Sequence, residues 1–166
     1  MQDPQIEYLK PHKGNIDLKF DWNNLFWSCS HCNSIKNQQK YDGNIINCCQ
    51  EDPERHISCQ YVNNEVDVNA LDHEITSQIT AELINETFNL QNTGMRVVAA
   101  AYRTKALRKE MNIFFNELQR YENNKIAINK RRVVVRLKRS AAFAAFKRSY
   151  IRNNEKYAEL QEYVAL

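Results

Sequence analysis

Glu7, Tyr8, His12, Asn24 and the run Cys29-Ser30-His31-Cys32-Asn33-Ser34-Ile35-Lys36 are the residues whose types and spacing point to chemistry. A carboxylate and an amide oxygen are hard donors. They suit Mg²⁺ or Mn²⁺, ions that keep several waters and take few protein ligands. Glu7 and Asn33 supply such a pair. Phosphodiester hydrolysis needs an activated water and a cation on the leaving oxygen, so this pair is the expected metal site. Asn24 is expected to brace the connecting loop by side chain–backbone bonds, and Lys36 to contact a phosphate. Cys29 and Cys32 form a Cys-x-x-Cys turn, a common half of a structural Zn²⁺ site. Its remaining ligands would come from Cys48, Cys49, Cys59, His31 or His56; otherwise the cysteines are buried thiols.

Certain elements must position these residues. Residues 5–9 read as a strand, ended by Pro11 and the turn at Lys13-Gly14-Asn15. Residues 16–20 alternate apolar and polar and predict a second strand. Asp21 is a candidate N-cap before residues 22–36, read as a turn leading into a short helix. Residues 37–66 look loop-rich, with a turn at Asp42-Gly43 and a helix start at Asp52-Pro53-Glu54. Helical periodicity takes over from about residue 70. Ile75, Ile79, Leu83 and Leu90 suit one face, and Gly94 breaks the run. Val97, Ala100, Thr104, Leu107, Met111, Phe114, Leu118 and Tyr121 then step by three and four, the mark of a long amphipathic helix. Asn123-Asn124 is its expected end. The β-branched run at 133–135 leaves helix and strand open over 126–139; context favours helix. Ser140 is a candidate cap for a last helix carrying Phe143, Phe146 and Tyr150. The expectation is an α+β, mostly helical chain, with a ββα module at 1–66 and a helical region at 67–166.

Charge divides along the same line. Residues 1–94 hold 6 Lys/Arg against 14 Asp/Glu, and residues 95–152 hold 16 against 3. A segment of that sign attracts polyanions; the competing reading is a solvated surface balancing the acidic half. Arg131, Arg132, Arg136 and Arg139 are its densest part and the expected nucleic-acid contact. There is no apolar run of the ~20 residues that span a bilayer and no signal-like N-terminus. The five clustered cysteines suit a reducing compartment, so no membrane contact and a cytoplasmic location are expected.

The order of Glu7-Tyr8, Asn24-Leu25 and Cys29-x-x-Cys32-Asn33 resembles the HNH endonucleases, whose ββα-metal fold has this sequence of parts. More narrowly, residues 6–36, Asp52-Pro53-Glu54 and residues 140–151 look like the HNH nuclease subunit of Septu and retron-borne Septu-type antiphage systems. The resemblance implies a metal-dependent nuclease of an antiviral defence complex. It implies an ABC-type ATPase partner and, in a retron, a reverse transcriptase with its RNA–DNA hybrid. It also implies that Tyr8 stands where the family has its general-base His. A phenol ionises near ~10 and is a poor base at neutral pH, so the chain is expected to be inactive or weakly active. His12 is the alternative base. Zinc-bearing relatives use a second cysteine pair upstream of the first strand, and no cysteine precedes Glu7 in this sequence. The alternative function is a non-catalytic interaction subunit that binds an ATPase or nucleic acid.

Overall fold

A computed structural model describes residues 4–89 and 94–166. The chain is α+β and mostly helical, with two small antiparallel sheets. It divides into two compact units, the first made of Met1–Ile57 with Val68–Ala100 and the second of Ser58–Asp67 with Ala101–Leu166.

In the first unit, β1 (Pro4–Tyr8) pairs antiparallel with β2 (Leu25–Cys29), placing Ile6 opposite Trp27, Glu7 opposite Phe26 and Tyr8 opposite Leu25. The second strand is therefore not residues 16–20. Those residues form the short helix α1 (Ile16–Phe20), because the Asn15 carboxamide oxygen caps its first turn by accepting from the Asp17 and Leu18 amides. Ile16 and Phe20 are spaced for a helix face as well as for a strand face, and the cap decides between them. Asp21 caps a single 3-10 turn at Trp22–Asn24, which delivers the chain into β2. Helix α2 (Ser30–Lys36) follows β2 directly and packs on both strands, giving a ββα unit.

Residues 37–66 are less loop-like than expected. Asp42-Gly43 is a turn, with Gly43 at φ 72°, and Asp52 caps a 3-10 turn at Pro53–Arg55. Ile57–Val62 (β3) and Glu65–Ala70 (β4) then form a hairpin. Its turn is Asn63-Asn64, both left-handed at φ 53° and 67°, the two-residue turn whose twist matches paired strands.

Helix α3 (Ile75–Asn89) buries a different face from the one its apolar residues suggest. Ser77, Thr80, Ala81 and Thr87 are buried, whereas Ile75 is 67% exposed and Ile79 and Leu83 are half-buried. Two polar side chains of this helix serve neighbouring backbone. Thr80 Oγ1 accepts from the Ile46 amide, and the Asn85 carboxamide grips both the N–H and the C=O of Val68. Leu90 and the Val97 side chain lie outside what the structure describes.

Helix α4 (Gly94–Asn123, with Gly94 its first residue) begins in the first unit, and its part in the second buries Leu107, Met111, Phe114, Leu118 and Tyr121, as their spacing requires. Residues 126–139 resolve as a helix, α5 (Ala127–Leu137), burying Val133 and Leu137. Helix α6 (Ala144–Arg152) is preceded not by a Ser140 cap but by Phe143 in the left-handed region at φ 52°. Three of its basic or polar residues, Lys147, Arg148 and Ser149, lie inside. Lys147 Nζ pairs with Glu110 at 2.9 Å and donates to the Ala142 carbonyl. Arg148 donates to the carbonyls of Leu137, Tyr163 and Ala165, and Arg152 to that of Val164. Part of the positive charge is thus structural. No helix among the described residues is long and apolar enough to cross a membrane.

Candidate functional cleft

The ββα unit inverts the usual sidedness of a strand. Glu7 is 8% exposed and lies inward, while its neighbour Ile6 and the cross-strand Trp27 are 57% and 78% exposed. A carboxylate held inside while apolar residues face water breaks the local rule of burial, and such breaks concentrate at functional sites.

Glu7 opens onto a cleft of about 400 Å³ lined by Tyr8, Pro11, His12, Lys13, Asn33, Lys36 and Asp42, among others. The structure therefore gathers Glu7, Tyr8, His12, Asn33 and Lys36, which the sequence singled out. It holds them by two devices. The Asn24 carboxamide accepts from the Lys10 amide at 2.7 Å and donates to the Lys10 and Leu18 carbonyls, both at 2.9 Å. It thereby ties β1's exit to α1. The Asn33 amide donates to Gln5 Oε1 at 3.0 Å, linking α2 to β1.

Lys36 is not at the surface. It is 7% exposed, its ammonium 3.0 Å from Glu7 Oε1 and 2.5 Å from the Tyr8 carbonyl, to which it donates. Burial pushes the Glu7 carboxyl up, against the opposing pull of the Lys36 hydrogen bond and charge. Glu7 Oε2 is buried with no hydrogen-bond partner. Tyr8 is half-buried, its ring 4.9 Å from that of His12. His12 Nδ1 accepts from the Gly14 amide at 3.2 Å. In the neutral ring the proton then sits on Nε2, leaving that nitrogen a donor rather than a base. Sequence reasoning missed Gln5 and the Lys13–Asp42 pair at 3.0 Å, which closes one side of the cleft. Neither stands in a motif, and only the loop's path brings Asp42 near.

A divalent cation fits this cleft in kind. Glu7, whose buried Oε2 is unmet, and Asn33 both line it and carry hard oxygen donors, the small protein share that Mg²⁺ accepts. Zinc fares differently. Cys29 Sγ accepts from the Cys32 amide at 3.2 Å as the cap of α2, and none of the five cysteines forms a disulfide. His31 Nε2 contacts the Thr87 carbonyl at 3.0 Å, and His56 lies between Asp72 and Glu51. No group of three or more His, Cys, Asp or Glu among the described residues is arranged to hold a metal ion.

Of the expected nucleic-acid contacts on or just after α5, Arg131, Arg132 and Arg139 are exposed. Arg136 is half-buried, 3.4 Å from Glu110. The Glu110 carboxyl is held below its ordinary range, chiefly by its hydrogen bond from Lys147.

Removing the Asn24 carboxamide should have a measurable cost. Asn24→Ala strips three bonds from a buried site and leaves backbone groups unmet. At about 1 kcal/mol each, the expected loss is roughly 2–4 kcal/mol. The midpoint of urea unfolding reads it, and an unchanged midpoint would deny Asn24 its bracing role.

Compared with known protein families, curated proteins and solved structures, the chain matches none.

Proposed function

We propose that this chain is an HNH-type, metal-dependent nuclease subunit of a bacterial antiphage complex, inactive or weakly active as written. The observation that carries the reading is the single cleft of a ββα unit that collects Glu7, Tyr8, Asn33 and Lys36, with Asn24 bracing the loop beside it. Glu7, through Oε2, and Asn33 would hold Mg²⁺ or Mn²⁺. The ion, when bound, supplies positive charge for the leaving oxygen. Lys36, expected from the sequence to contact a phosphate, is instead buried against the Glu7 carboxylate and the Tyr8 carbonyl. Tyr8 occupies the base position, where a phenol is a poor proton acceptor, and the bond from Gly14 to His12 disfavours His12 as a replacement. The test is metal-dependent cleavage of DNA and RNA by this chain and by Tyr8→His. The resemblance adds an ABC-type ATPase and, in a retron, a reverse transcriptase with its RNA–DNA hybrid as partners of the proposal.

A second reading, a non-catalytic interaction subunit, is favoured by the Glu7–Lys36 pair, which already neutralises the key carboxylate. Full binding of an ATPase partner by the unaltered chain, with no cleavage under any metal by it or by Tyr8→His, would select it.

Nucleic-acid contact belongs to α5 and the residues just after it in either reading. Exchanging Arg131, Arg132 and Arg139 together for Gln should weaken retention on heparin or DNA. It should also reduce the salt dependence by up to about three counterions, since each neutralised phosphate releases one. Unchanged retention would remove this segment from the contact.

A further inference from the structure

Both carboxylates that line the cleft are already held by lysines, Glu7 by Lys36 and Asp42 by Lys13. The two pairs differ. Lys13 is 71% exposed, as a surface partner would be, whereas the Lys36 and Glu7 side chains are 8% and 9% exposed. A buried pair made for stability alone should satisfy both carboxylate oxygens, because an unmet buried oxygen carries its full desolvation cost. Here one oxygen meets the ammonium at 3.0 Å and the other, Oε2, meets nothing. The carboxylate is half occupied, and the occupant is itself a cation.

We propose that Lys36 is a built-in competitor for the divalent cation of this cleft. The ammonium rests on Glu7 Oε1 and the Tyr8 carbonyl, lowers the negative charge that the carboxylate offers, and raises the concentration of Mg²⁺ or Mn²⁺ needed to fill the site. This rests on the nuclease reading and deepens it. Tyr8 limits the chemical step, whereas Lys36 limits loading. When a divalent ion takes Glu7, the Lys36 ammonium is repelled from it, and the flexible four-carbon stem lets that charge turn towards the open cleft.

The experiment is Mn²⁺ titration of the full chain by calorimetry, with circular dichroism confirming that each variant is folded. Lys36→Gln should bind Mn²⁺ about tenfold or more tightly than the unaltered chain, given the strength of a unit charge a few ångströms away at a partly buried site. The Lys36→Gln/Glu7→Gln double variant should lose that gain. Equal affinity in the unaltered chain and Lys36→Gln overturns the inference and leaves the nuclease reading standing. No binding by either overturns both. A measurement on the unaltered chain covers the case in which Lys36→Gln does not fold. Lys36 should resist amine acylation without metal and become reactive in saturating Mn²⁺. Protection that persists while Mn²⁺ is bound overturns the inference.

Discussion

Exchanging Tyr8 for His is expected to raise metal-dependent cleavage by about 10²-fold or more, the range that a positioned general base contributes. The exchange is conservative in space. Tyr8 ends β1 opposite Leu25, its carbonyl is fixed by Lys36, and its half-buried ring faces the cleft beside His12. An imidazole is smaller than a phenol and needs no new room. It titrates near ~6.5, so its neutral form is present at pH 7 to take a proton from water. Cleavage of supercoiled plasmid in saturating Mn²⁺ is the readout. The gain should vanish in EDTA and in an Asn33→Ala background, which removes a proposed metal ligand. Strong metal-dependent cleavage by the Tyr8 chain that survives His12→Ala would place the base elsewhere.

Phe114→Asp should unfold the second unit. Phe114 is fully buried in α4, with Tyr150 edge-on at 6.1 Å and Phe115 at 5.9 Å. Truncating a core Phe to Ala costs about 3–5 kcal/mol, and a carboxylate there adds its own desolvation. The sum reaches the lower end of the ~5–15 kcal/mol by which a typical domain is stable. Loss of most helical dichroism at room temperature is the expected result. A melting transition unchanged from the parent would show that the α4 face is not a core.

The sequence singled out residues that line one cleft, but not their pairing. Glu7, Asn33, Tyr8, His12 and Lys36 could be found because ββα order and Cys-x-x-Cys-Asn spacing are local features. That Lys36 turns inward onto Glu7 could not, because it is a contact across most of the module, and a lysine is read as surface by default. The same default hid Lys147 and Arg148. Helix α4 was plain because eight positions repeat one period, whereas α1 offered five residues, too few to separate a period of two from one of 3.6. The β3–β4 hairpin was visible in principle. Residues 57–62 and 65–70 alternate around Asn63-Asn64, and asparagine is one of the few residues that tolerates the left-handed turn.

Arg148 and Arg152 hold the C-terminal segment by its peptide carbonyls. Every amino acid carries that acceptor, so the grip is indifferent to which side chains stand at 163, 164 and 165. Mutation can drift through those letters, as far as this grip is concerned, while the two guanidinium donors stay under constraint. Deleting the segment is another matter, since it would strand buried charge. For protein engineering the distinction is practical: this grip constrains the tail's backbone, whereas the fully buried Val164 constrains the side chain at that one position.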